Sequence, residues 1–222
     1  FFYGFQGMHS YLKPFNRWWD YKNPIVRNRQ PVEVDKYLTE AFTDEALGFI
    51  DRHKNEPFFL YLPYNAPHTP LEATEKYLKH FDHIAHPKRK VFAAMVYAMD
   101  KGIGQILDKL REHKIEEDTM VVFLSDNGGK AVSHRGGASN EPLRGSKGTL
   151  YEGGVRIPYA IRWKGHLPEG KTYHKPVSSL DIFPTAASAA GIGLPEARKV
   201  DGVNLLGYIR GENTGTPHET LY

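Results

Sequence analysis

Three short clusters in the 222-residue sequence carry side chains able to do chemistry. Asp126 and Asn127 stand side by side directly after the apolar run TMVVFLS, residues 119–125. A carboxylate next to an amide carbonyl offers two hard oxygen donors, suited to Ca²⁺ or Mg²⁺. The same Asp-Asn-Gly sequence is equally a good turn. Lys147 lies in PLRGSKGTLYEGGVRIP, where Gly145, Gly148, Gly153 and Gly154 accompany three cations. Glycines let the main chain approach an anion, and lysine adds a point charge with three donors; a solvated basic loop would read the same way. His68, in the loop NAPHTP, can bind an anion or transfer a proton. A single loop histidine is also commonly just exposed or hydrogen-bonded.

Other chemical patterns fail on spacing. His80, His83 and His86 recur every third position, so on a helix they fan over about 120° and converge poorly on one metal. A solvated helix face suits them better. Ser10-Tyr11-Leu12-Lys13 fits S-x-x-K and Ser125-Asp126-Asn127 reads SDN, but the third member of that acyl-enzyme set, Lys-Thr-Gly, is replaced by Lys147-Gly148-Thr149. Ser10 also lacks the helical pattern the motif needs. Walker, G-x-G-x-x-G and H-E-x-x-H patterns are absent from the sequence.

The elements that must position these clusters follow from periodicity. Residues 1–35 are aromatic and irregular, and read as loop packed on a scaffold. From Val34 the spacing of Tyr37, Leu38, Ala41, Phe42, Ala46, Leu47 and Ile50 is helical, with Thr43-Asp44-Glu45 resembling a helix start. PFFLYLPY (57–64) predicts a buried strand leading into the His68 loop. Val91, Met95, Ala98, Met99, Ile103, Ile106 and Leu110 form one stripe of a helix over 88–113. Residues 119–125 predict a central strand ending at Asp126, and IPYAIRW (157–163) another. SLDIFPTAASAAG (179–191) predicts a helix interrupted early by Pro184 and stopped at Gly191. Strands alternating with amphipathic helices imply an α/β sheet with helices on its faces. In such sheets ligands bind beyond the carboxyl ends of strands, where His68 and Asp126-Asn127 fall.

Composition narrows the function classes. Lys and Arg exceed Asp and Glu by 29 − 26 = 3, spread thinly, which excludes the dense basic face of a nucleic-acid binder. Zero cysteines exclude disulfides, thiolate metal sites and a cysteine nucleophile within these residues. No apolar run reaches the roughly 18 residues that would span a membrane. The sequence opens without Met or a signal pattern, and is read as part of something longer.

In order, PFFLYLPYNAPHTP, VYAMDKGIGQILDKL, VVFLSDNGG, PLRGSKGTLYEGGVRIP and SSLDIFPTAASAAG resemble the blocks of a type I sulfatase, of the formylglycine-dependent arylsulfatase family, over residues 34–203. That resemblance implies an alkaline-phosphatase-like α/β fold, a large mixed sheet between helices of which this is a partial domain. Residues 1–205 would be the later part of the catalytic domain, and 206–222 the start of a small C-terminal subdomain. The resemblance makes Asp126 and Asn127 part of a Ca²⁺ site (Mg²⁺ being the alternative), Lys147 a sulfate contact, and His68 a sulfate contact and leaving-group acid. It also implies a formylglycine nucleophile, made from Cys or Ser in a C/S-x-P-S/A-R block. The 222 residues contain no such block, nor the family's upstream aspartate pair or its further lysine-histidine pair, so an internal portion is expected.

The reaction implied is hydrolysis of a sulfate monoester. Carbohydrate is favoured by the aromatic opening and by His134 and Arg135 as substrate-binding candidates. Two alternatives stand beside it: a phosphomonoester or phosphonate hydrolase of the same superfamily, and an inactive sulfatase-like protein that binds glycans. By resemblance alone, a periplasmic or secreted location is expected.

Overall fold

The computed structural model describes residues 3–5, 9–15, 17, 20, 22–131 and 136–221. In chain order the elements are β1 (Tyr3–Gly4), β2 (Val26–Arg27), β3 (Gln30–Pro31), α1 (Leu38–His53), α2 (Glu75–Leu78), α3 (Pro87–Glu112), β4 (Val121–Leu124), α4 (Glu152–Val155), β5 (Tyr159–Arg162), α5 (Ile182–Ala189) and α6 (Leu206–Arg210). They group into two compact units. One takes in the chain up to His113 together with Asn127–Arg156; the other takes Lys114–Asp126 and the chain from Ile157 onward.

The first unit is built on α1 and α3. Met95 and Ala98 of α3 and Leu38 and Phe42 of α1 belong to one buried apolar cluster. The helices meet where Gly102 faces Thr43: a Cβ on Gly102 would lie 2.4 Å from Thr43 Oγ1 and 2.8 Å from the Tyr64 hydroxyl. Thr43 is therefore inside a helix, and does not start one. Its hydroxyl donates to the Thr39 carbonyl at 2.9 Å and accepts from Tyr64 Oη at 2.7 Å. With its polar group satisfied in place, the helix runs from Leu38, five positions before the expected start. The opening segment also departs from a plain loop, since β1, β2 and β3 form a small antiparallel sheet around a tight turn at Asn28, whose φ is +58°. Tyr3 of that sheet meets Phe42 edge-on at 5.8 Å. Of the aromatic residues that prompted the loop reading, Trp18, Trp19 and Tyr21 lie outside the described residues.

Residues 57–64 do not form a strand. The chain there alternates in burial at every second residue, with Phe59 and Tyr61 about three-quarters exposed. That is the period of extended chain without a ladder partner among the described residues. The three histidines are also differently used. His80 packs against Tyr97 in a 3₁₀ turn, His83 lies near Phe81, and the His86 side chain caps α3 by accepting from Arg89 N.

In the second unit β4 and β5 pair antiparallel, Val121 opposite Arg162 and Leu124 opposite Tyr159. Glu116, ahead of β4, accepts from Arg162 at 2.6 Å, and Trp163 Nε1 donates to the Glu117 carbonyl at 2.8 Å. Pro184 sits in the first turn of α5 without interrupting it, because its missing N–H would have had no helical partner there. Gly191 ends that helix with φ +67°, as expected. Asp181 is fully buried and accepts from Ser178 N, Val203 N and His218 Nε2 at 2.7–2.8 Å, fixing the chain's last turns. The α/β class holds; the sheet among the described residues consists of these two small pieces. No helix among them is long and apolar enough to cross a membrane.

Candidate active site

The cation candidates follow directly from the end of a strand. One step past β4, Ser125 N still donates to the Pro158 carbonyl at 3.3 Å, and the chain then turns at Asp126. Asp126 is exposed and Asn127 half-buried. No group of three or more His, Asp or Glu residues able to hold a metal occurs among the described residues. Asp126 and Asn127 offer two hard oxygen donors, fewer than the about six to eight that a Ca²⁺ shell takes.

The turn is fixed by glycines packed backbone against backbone. Gly128 N donates to the Gly154 carbonyl at 2.9 Å, and a Cβ on Gly128 would lie 1.9 Å from the Gly153 carbonyl oxygen. Cβ atoms on Gly153 and Gly154 would lie 2.4 Å from Gly145 O and 2.1 Å from Thr149 O. The glycines of the Lys147 segment were expected to give an anion access to the main chain. Three of them are instead consumed by close chain crossings, while Gly148, at φ +88°, has open space around it.

Lys147 is exposed, and its backbone N–H donates to the Gly129 carbonyl at 3.2 Å. Asn140 completes the junction. Its Oδ1 accepts from Gly129 N at 2.9 Å, and its Nδ2 donates to Gly129 O at 2.8 Å and to Gly145 O at 3.2 Å. The segment following Asn127 and the loop bearing Lys147 are therefore joined at Gly129 as well as at Gly128. Sequence reasoning did not single out Asn140; its position just ahead of the Pro142–Gly148 loop was the available signal.

His68 is positioned by different means. Its backbone N–H donates to Asn65 O at 2.8 Å, and the buried Tyr11 hydroxyl is shared between Asn65 O at 2.5 Å and His68 O at 3.0 Å. Burial pushes the Tyr11 phenol well above its ordinary pKa, with Tyr37 and Glu72 adding to the effect, so the hydroxyl stays a donor. Tyr11 N in turn donates to Glu72 at 2.8 Å, and Glu72 pairs with Arg17 at 2.6 Å. The exposed His68 ring sets Nδ1 2.8 Å from the Thr69 carbonyl. A carbonyl can only accept, so Nδ1 carries the hydrogen and Nε2 is the atom left to exchange a proton. His134 and Arg135, the substrate-binding candidates, lie outside the described residues.

The comparisons with known proteins agree with one another. The sequence matches the sulfatase family over residues 2–192. The uncharacterized sulfatase YdeN of Escherichia coli K12 is 38% identical over 206 residues, covering 90% of this chain and 36% of YdeN. Human steryl-sulfatase is 35% identical over 223 residues, covering 98% of this chain and 37% of that protein. The crystal structure of Ps i-CgsB in complex with k-i-k-neocarrahexaose matches at a TM-score of 0.87 and 40% identity, over 95% of this chain and 50% of that one. The chain thus spans just over a third of the length of these curated relatives. Its fold is a part of the alkaline-phosphatase-like α/β fold of those sulfatase structures. The chain belongs to the sulfatase family.

Proposed function

We propose that the intact protein hydrolyses sulfate monoesters on carbohydrates, and that these residues supply the charge-stabilising half of its site. The observation that carries this reading is the Gly129 junction, which fastens the loop of a cation-ligand candidate to the loop of a sulfate-contact candidate. A similar structure solved with a neocarrahexaose supports an oligosaccharide substrate; the likeness to steryl-sulfatase makes a steroid sulfate the competitor to test.

In this mechanism Asp126 and Asn127 would hold a Ca²⁺ ion together with ligands from outside these residues. When bound, the cation supplies fixed positive charge against the sulfuryl oxygens. Lys147 adds its ammonium to the same developing charge. The nucleophile implied by the family is a formylglycine, for which these residues have no precursor motif. His68 holds a proton on Nε2, its Nδ1–H kept on Thr69 O, and delivers it to the oxygen of the departing alcohol.

The test is turnover by the intact protein of 4-nitrophenyl sulfate, 4-nitrophenyl phosphate, a sulfated oligosaccharide and a steroid sulfate, side by side. Preference for the sulfated oligosaccharide supports the reading. Preference for the phosphate would favour a phosphatase, and inactivity on all four a glycan-binding role. Calorimetric titration of calcium into metal-stripped protein tests the cation: Asp126→Ala should weaken binding, and unchanged affinity would return Asp126-Asn127 to a simple turn.

A further inference from the structure

We propose that Asn140 is a positioning residue for Lys147, holding the root of the lysine loop in register with the turn that follows Asn127. The inference rests on the sulfate-binding role given to Lys147 above, and adds a residue that neither binds the substrate nor ligates the cation.

The geometry is specific to a carboxamide. Oδ1 faces the Gly129 N–H at 2.9 Å, while Nδ2 faces the Gly129 and Gly145 carbonyls at 2.8 and 3.2 Å. Turning the amide over would set an NH₂ against an N–H and an oxygen against two carbonyls, so only one orientation fits. The Gly129 carbonyl also accepts the Lys147 N–H at 3.2 Å. Asn140 therefore grips both the N–H and the carbonyl of Gly129, the residue whose carbonyl also takes the Lys147 N–H, and reaches the loop again at Gly145, two residues before the lysine. Gly129 has no room to adjust alone, since a Cβ there would lie 2.5 Å from Ala138 Cβ and 3.0 Å from Asn140 Oδ1. Lysine is a flexible four-carbon stem with a compact charge at its tip, so the placement of its backbone root decides where that charge is held. A displacement of about 1 Å in a group that positions charge can cost on the order of a hundredfold in rate.

Asn140 is only half-buried, so removing its amide opens no large cavity. The test is a double-mutant cycle in the intact protein: parent, Asn140→Ala, Lys147→Ala and the double variant. It reads kcat/KM for 4-nitrophenyl sulfate and, independently of turnover, the calorimetric affinity for inorganic sulfate. Asn140→Ala is expected to lose roughly tenfold to a hundredfold in kcat/KM, to weaken sulfate binding, and to cost little further once Lys147 is already alanine. Equal factors in both backgrounds would overturn the proposal, because a purely structural residue would add its effect whether or not the lysine was present. Asn140→Asp keeps the acceptor for Gly129 N–H but turns a carboxylate oxygen toward two carbonyls; it should lose at least as much, and parental kinetics would equally overturn the proposal. If the alanine variant fails to fold, as circular dichroism would reveal, the aspartate variant carries the cycle. A Lys147→Ala variant with parental sulfate affinity would instead strike at the function reading itself, and the positioning role would fall with it.

Discussion

The loop carrying His68 and the loops meeting at Gly129 are held by opposite strategies. The first is a stretch of ordinary residues pinned by side chains from elsewhere: Tyr11 reaches in from 54 and 57 positions away, and Glu72 anchors Tyr11 in turn. The second is held by main chain against main chain, where Gly128 faces Gly153 with no space for even a methyl group. Pins of the first kind can be withdrawn singly, each with a partial loss. Crossings of the second kind fail together, because a carbonyl oxygen in a close-packed backbone has nowhere to go. Under the roles proposed above, the rigidly held loop is the one that would present fixed charge to a sulfate, where preorganisation counts most.

The sharpest way to break this comparison is Gly128→Ala. Its new Cβ would lie 1.9 Å from Gly153 O, so a loss of about 3 kcal/mol or more is expected, read as a collapse in thermal midpoint or soluble yield of the intact protein. A near-parental midpoint would show that the two glycine pairs can slide apart after all. Tyr11→Phe deletes one buried hydroxyl and takes a donor from two carbonyls, of which Asn65 O keeps the His68 N–H, for an expected cost of about 1–2 kcal/mol. Denaturant unfolding measures that cost, and kcat should fall only a few-fold. Smallest is Gly148→Ala, where nothing lies within 4 Å and only φ +88° opposes a side chain; about 1 kcal/mol is expected by the same measurement. If Gly148→Ala proved as damaging as Gly128→Ala, backbone strain and not close approach would govern the loop.

Much of this was legible in the sequence, and the exceptions have physical causes. The stripe from Val91 to Leu110 announced α3, and Gly191 announced the end of α5, because both signals are local. PFFLYLPY was read as a buried strand from apolarity alone, but strand formation depends on a neighbour, and Phe59 and Tyr61 face outward. Thr43 looked like a cap because threonine favours caps; the partners that keep it inside α1, Thr39 O and Tyr64 Oη, were invisible without the fold. Asp126, Lys147 and His68 were picked out by residue type and neighbours, whereas Asn140 and Tyr11 act by holding backbone, which leaves little mark on a sequence. The glycines of residues 145–154 were noticed for close approach, and at Gly145, Gly153 and Gly154 what approaches is another part of the same chain, whereas Gly148 stands in open space.

The central claim is that the two regions hold two chemical roles, a proton donor at His68 and a fixed charge at Lys147. It is tested most directly by leaving-group dependence. In the intact protein, kcat/KM is measured for 4-nitrophenyl sulfate and for a sugar sulfate in the parent, His68→Ala and Lys147→Ala. The phenolate departs readily, while the sugar alkoxide needs a proton. His68→Ala should therefore lose far more on the sugar sulfate than on the aryl sulfate, and Lys147→Ala should lose comparable factors on both. Equal losses for His68→Ala, or a steeper leaving-group dependence for Lys147→Ala, would contradict the account.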